Sequence, residues 1–176
     1  GMDLSYNLTP NLNASLTINT DFAETEADTQ QVNLTRFSTF YPEKRPFFLE
    51  GAGVFQIAGI SSGGGITGSS TELLPFFSRR IGLNQGQEIP VIVGAKMTGR
   101  ISNFNIGLLD VWTEDDETLG LNRQNMMAAR VSSNFWRQSF IGGIFTHGNP
   151  SGQGDNSLIG ADAHLATSEF MGSKNL

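Results

Sequence analysis

The 176-residue chain contains no cysteine, which excludes disulfides, thiolate metal sites and a cysteine nucleophile. Charge is scarce: Asp, Glu, Lys and Arg make up 16% of the residues, with a formal net charge of -6. Phosphate backbones require a basic footprint, so nucleic acid is excluded as a partner. No run approaches the ~18 apolar residues of a membrane-spanning helix. A signal-peptide pattern is missing as well, so an envelope location requires the chain to be part of a longer protein. Against these absences stand 21 Gly and 13 Phe, a balance that favours sheets with many turns over a helical or α/β enzyme.

What the chain does contain is a period of two. Met2, Leu4, Tyr6 and Leu8 alternate with Asp3, Ser5, Asn7 and Thr9, and the pattern returns in Ala14, Leu16 and Ile18 against Asn13, Ser15 and Thr17. Alternation of this kind predicts half-buried strands. Strands are expected over 2–9, 13–22, 90–100, 103–112, 126–135, 138–147 and 157–167, with an eighth starting at Lys174. Connections alternate between short, as at 10–12, 101–102, 136–137 and 168–173, and long, as at 23–89, 113–125 and 148–156. Short turns at one rim and long loops at the other describe the up-and-down hairpins of an outer-membrane β-barrel. The expected fold is therefore all-β, a partial antiparallel barrel with a long folded insertion. It divides into a first hairpin over 1–22, the insertion over 23–89 and consecutive hairpins over 90–176.

Aromatic placement fits that picture. Phe104, Phe135, Trp136, Phe140 and Phe170 all fall beside short turns, where they would form a rim girdle; ordinary core aromatics are the other reading. Lys96, Thr98 and Arg100 oppose Val91, Val93, Ala95 and Met97, and Arg130 opposes Met127, Ala129 and Val131. Asp162 and His164 oppose Ile159, Ala161 and Ala163. With Asp110 these form a mixed-sign set, Lys96, Arg100, Asp110, Arg130, Asp162 and His164. In lipid such groups must line a wet lumen. In a soluble barrel the two faces would exchange roles. Strand 103–112 is ambiguous on its own, because Asp110 shares a face with Phe104, Ile106, Leu108 and Trp112.

A structureless connection of the length of 23–89 is improbable in a compact domain. Its paired Phe residues at 47–48 and 76–77 predict a plug or cap, with a Gly/Ser tip at 61–70. Glu43, Lys44, Arg45, Glu50, Arg79 and Arg80 are expected to form the charge network that pins it. Glu43 and Glu50 are also weak catalytic candidates, since glycoside hydrolysis uses paired carboxylates.

The remaining motifs carry less. Gly59 to Gly63 matches the G-x-S-x-G nucleophile elbow around Ser61, but a Gly/Ser tract follows where that motif needs a helix. His147 and His164 lack metal-ligand spacing. The acidic run TEDDET lacks the pattern of a calcium loop and reads as solvated charge. Asn-X-Ser/Thr matches at Asn7, Asn13 and Asn33 follow from strand alternation. No cofactor is implied.

FYPEKRPFFLEG at 40–51, FFSRRIG at 76–82, VGAKMTGR at 93–100, IGLLD at 106–110 and FMGSKNL at 170–176 occur in an order that resembles an uncharacterised family of bacterial outer-membrane proteins. In that family a periplasmic domain similar to family 9 carbohydrate-binding modules precedes a large β-barrel of unknown function. The resemblance implies that this chain is the early part of the barrel, in the bacterial outer membrane, with outer-membrane lipid and glycans as partners. Some members are labelled putative membrane-associated hydrolases, with no catalytic residues to carry over. A barrel entered from the periplasm would make the turn at Pro10 extracellular, whereas the lengths of the later loops argue the reverse. Three readings stand: glycan binding or passage through a barrel, a membrane-associated hydrolase acting on glycans or esters, and a soluble β-barrel binding module. Open strand edges predict self-association.

Overall fold

The structure is a computed structural model that describes residues 1–20, 43–57, 75–84, 87–117, 120–135, 139–152 and 154–166. Among these, the strands are β1 (Met2–Thr9), β2 (Leu12–Thr20), β3 (Leu83–Asn84), β4 (Gln87–Glu88), β5 (Val91–Ile101), β6 (Phe104–Thr113), β7 (Gln124–Phe135), β8 (Ser139–His147) and β9 (Ser157–His164). One short helix, α1 (Pro46–Leu49), and two 3-10 turns, Ala52–Phe55 and Ser78–Arg80, lie between β2 and β5. The fold is all-β. Seven strands form one antiparallel sheet in the order β1-β2-β5-β6-β7-β8-β9, which is not closed, and β3 pairs with β4 apart from it.

The observed strands follow the alternation closely. Two-residue connections join β1 to β2 and β5 to β6. In the second of these, Ser102 takes the left-handed conformation, φ 55, that lets so tight a turn reverse the chain. β9 ends at His164, short of the expected bound, with Leu165 and Ala166 outside the strand, and the expected eighth strand at Lys174 and the tip at 61–70 lie outside the described residues.

The sheet has two unlike faces. Registers place Leu4, Leu16, Ala95, Asp110 and Met127 in one row across β1, β2, β5, β6 and β7. Tyr6, Ala14, Met97, Leu108 and Ala129 form the next row. This is the apolar face, and many of its large side chains are exposed. The opposite face carries Lys96, Leu109, Val111, Met126, Ala128, Arg130 and Ile144, all buried.

What buries the second face is the excursion between β2 and β5. These two strands are hydrogen-bonded neighbours, so the chain leaves and re-enters at one end of the sheet, and the described parts of the excursion fold back over it. Phe48, Phe55 and Ile81 join Val91, Leu109, Val111, Met126 and Ala128 in the core, with Phe47 and Phe76 packed against it. Burying each such Phe contributes roughly 1.5–3 kcal/mol.

Glycines on the sheet make the approach possible. A Cβ at Gly94 would lie 3.1 Å from the Phe47 ring, and one at Gly107 would lie 2.8 Å from Val54 and 3.1 Å from the Phe55 ring. Val91 departs from the expected face. An irregularity in register between Val91 and Val93 turns its side chain into the core, fully buried beside Thr113.

Candidate functional site

The described chemistry gathers where the excursion meets the sheet. Pro46 stands at the first turn of α1, where its missing N–H costs nothing. The residue before it, Arg45, is among the most deeply buried side chains. Its Nε donates to Glu43 Oε1 at 2.8 Å and its Nη2 to Glu43 Oε2 at 2.8 Å. The remaining donors reach the other limb of the excursion, Nη1 to the Ile81 carbonyl at 2.6 Å and Nη2 to the Ser78 carbonyl at 2.7 Å. Ser78 closes the ring by donating from Oγ to Glu43 Oε2 at 2.8 Å. The guanidinium also lies 4.2 Å from the centre of the Phe48 ring. A planar fork with five donors is the group suited to such a junction.

Glu43 is saturated by these contacts. Its Oε1 also accepts the backbone N–H groups of Lys44 and Arg45, each at 3.1 Å. Burial alone would raise its pKa, but the Arg45 hydrogen bonds and charge, with the Ser78 hydroxyl, outweigh it and hold the carboxyl below its ordinary value. Glu50 is used differently, through its backbone. Lys96 on β5 donates from Nζ to the Glu50 carbonyl at 2.6 Å and to the Phe47 carbonyl, and its ammonium lies 5.0 Å from the Phe47 ring centre. A cation at the carbonyl end of a helix is favourably placed. Lys96 thus latches α1 to the sheet.

Of the residues expected to pin the excursion, Glu43 and Arg45 form the junction and Glu50 contributes its carbonyl. Arg45 joins Glu43 to Ser78 and Ile81, Lys44 stands beside it, and Arg79, half-buried, and exposed Arg80 sit on the turn that presents those carbonyls. Ser78 and Lys96 were not expected in it. Each is visible only once the fold brings positions more than thirty residues apart into contact.

The six charged residues expected on one face separate. Lys96, Arg100, Arg130, Asp162 and His164 do share the covered face by register. Asp110 does not: it pairs with Ala95 and Met127 on the apolar face, where its Oδ1 accepts a hydrogen bond from the Asn125 amide. Alternation within β6 fixes this, since Leu109 and Val111 enter the core and Asp110 between them must point away. Of the rest, Arg130 and Asp162 form a two-armed ion pair at 2.9 Å per arm. Exposed Arg100 donates to the Ser102 carbonyl at 2.9 Å.

Of the aromatics expected beside short turns, Phe140 lies on the covered face, stacked on the His164 ring at 5.8 Å, while Phe104 and Phe135 fall on the apolar face. Trp136, Phe170 and Ser61 lie outside the described residues. His147 Nδ1 lies 2.8 Å from Ser157 Oγ, and Asp115 faces Arg123 at 4.0 Å in solvent. Among the described residues no group of three His, Asp or Glu is placed to hold a metal ion.

Residues 1–133 match the model of a family described as a domain of unknown function, DUF5916. Comparison with curated proteins and with solved structures finds no match.

Proposed function

The chain belongs to the DUF5916 family, a domain of unknown function, and from this premise we propose that it is a segment of an outer-membrane β-barrel that binds or passes glycans and is not an enzyme. The observation that carries the membrane reading is inverted burial. Lys96 and Arg130 are 5% and 4% exposed, whereas Tyr6 and Ile159 are 71% and 83% exposed. A water-soluble sheet would cover its apolar face first, because burying a charge costs far more than leaving it wet. In lipid the ordering reverses, with apolar residues outward and polar ones facing the interior. The lengths of β5, β6 and β7, 11, 10 and 12 residues, suit tilted strands crossing a bilayer, which need ~9–11.

The excursion between β2 and β5 then acts as a plug, held inside the barrel wall by Lys96 and by the Arg45 junction. The glycan part of the reading rests on the resemblance of residues 40–51, 76–82 and 93–100 to envelope proteins that carry a carbohydrate-binding-like domain. A structural role for Glu43 is favoured over a catalytic one, since both of its oxygens are committed to Arg45, Ser78 and backbone amides.

Size-exclusion chromatography with far-UV circular dichroism, in buffer and in detergent, tests the membrane reading. Recovery of β-structure only in detergent is expected, and a monodisperse β-rich species in plain buffer would overturn it. Uptake of oligosaccharides by vesicles bearing the full-length protein tests passage. Turnover of a glycan or ester panel that is lost in Glu43→Gln or Glu50→Gln would replace the non-enzymatic reading with the hydrolase.

A further inference from the structure

The described excursion leaves part of the covered face open. Phe48, Phe55 and Ile81 are buried together among Leu109, Val111, Met126 and Ala128, and exposing all three at once would cost an amount comparable to the stability of a whole domain. The excursion is therefore a fixed part of the fold, and a ligand on this face must use the positions it leaves exposed. These lie on the β1–β2 hairpin. β1 is exposed along its whole length, and register places its Asp3, Ser5 and Asn7 on the same face as Thr17, Ser15 and Asn13 of β2 and Lys96 of β5.

What the hairpin presents there is amide and hydroxyl. Asn13 Nδ2 donates to Ser5 Oγ and to Asn7 Oδ1, each at 3.1 Å, and Ser15 Oγ donates to Asn13 Oδ1 at 3.0 Å. These bonds fix the side chains across two strands and leave the exposed Asn7 Nδ2 without a partner among the described residues. Charge is withdrawn from the same region. Lys96, the cross-strand neighbour of Ser15, is buried on the Phe47 and Glu50 carbonyls. The exposed charges on this face of β1, β2 and β5 are Asp3 and Arg100, opposite in sign. Asp3 accepts from the Thr17 hydroxyl and Arg100 donates to the Ser102 carbonyl. Because Asp3 is level with Thr17 and Gly94, Arg100 stands about 20 Å further along the strands at ~3.4 Å per residue.

We infer that this hairpin face binds an uncharged oligosaccharide lying along β1 and β2 between Asp3 and Arg100. The inference rests on the glycan reading above and adds that the glycan carries no charge. Hydroxyls of a sugar both donate and accept, as do the carboxamides and hydroxyls of Asn7, Asn13 and Ser5. An acidic or cationic sugar lying between the two ends would give up hydration without meeting a partner of opposite sign.

The test is isothermal titration calorimetry on the full-length protein in detergent, with two neutral hexasaccharides, maltohexaose and cellohexaose, an acidic one, hexagalacturonate, and a cationic one, hexaglucosamine. A neutral hexamer should bind most tightly. Asn7→Leu removes an exposed amide from the middle of the surface and should weaken that binding about threefold to tenfold, the worth of one hydrogen bond. Asn7→Lys supplies the missing cation and should move the preference to hexagalacturonate. Equal or tighter binding of a charged hexamer by the unmodified protein overturns the site, as does neutral binding that Asn7→Leu leaves unchanged. Should the Asn7 variants fail to fold, the comparison of hexamers on the unmodified protein still decides. The two claims separate: a preference for a charged hexamer removes only the uncharged ligand, whereas a protein that binds none of the hexamers loses the glycan reading too.

Discussion

Arg130 on β7 and Asp162 on β9 meet across an intervening strand, their two-armed ion pair, 2.9 Å on each arm, passing over β8 at Gly142. A Cβ at Gly142 would lie 3.0 Å from Asp162 Oδ1 and 3.1 Å from Arg130 Nη2. The bridge therefore depends on a glycine that neither partner contacts in sequence.

Both side chains are 5% exposed, so removing one partner strands a buried charge. Asp162→Asn should cost about 3–5 kcal/mol in unfolding experiments. Replacing both, as Arg130→Met with Asp162→Leu, should cost markedly less, because no charge is then left without compensation.

Lys96 holds the carbonyl end of α1 with two charge-assisted bonds. Lys96→Met keeps much of the side chain's bulk and removes both bonds. Amide hydrogen exchange over residues 46–55 should accelerate about thirtyfold or more, corresponding to roughly 2 kcal/mol of local stability, while the amides of β7 keep their protection.

Glu43 supplies an acid-sensitive element. Its pKa in the folded chain lies below the ordinary 4.5, so unfolding raises it. Its contribution is complete above the unfolded value and disappears as pH falls through the lower folded one. Melting temperature should be insensitive to Glu43 titration at neutral pH and decline below about pH 4.5. Glu43→Gln should lower stability at pH 7 and flatten the acid limb.

Gly107 admits the Phe55 ring and the Val54 methyl. Gly107→Val would force them aside and should destabilise by about 1–3 kcal/mol. Combining it with Phe55→Ala should recover part of that loss, since the double variant removes the ring that is in the way; denaturant titration of the single and double variants reads the coupling.

The strands and most of the facing were legible because a period of two leaves little freedom in β5, β7 and β9. Lys96, Arg130 and Asp162 stand opposite apolar neighbours in their own sequences, and each shares the covered face. Asp110 was misplaced for an instructive reason. Its own strand put it with Ile106, Leu108 and Trp112, and the assumption that charges must gather on one side overrode that local signal. Val91 escaped the period because an irregularity in register shifts the strand by one position there. The parts played by Ser78, Gly107 and Gly142 have no local trace. Each follows from a tertiary approach, a guanidinium reaching a carbonyl or a ring reaching a backbone, that alternation does not encode.

The antiparallel order of the sheet has a consequence in parity. With seven strands alternating in direction, β1 and β9 run the same way. These two edges therefore cannot meet in the antiparallel manner of every other pair. Closing the sheet into an up-and-down cylinder calls for an odd number of interposed strands. Pairing between two copies avoids that requirement, because a twofold axis reverses a strand against its own image. Like edges, β1 with β1 or β9 with β9, are then the matched surfaces.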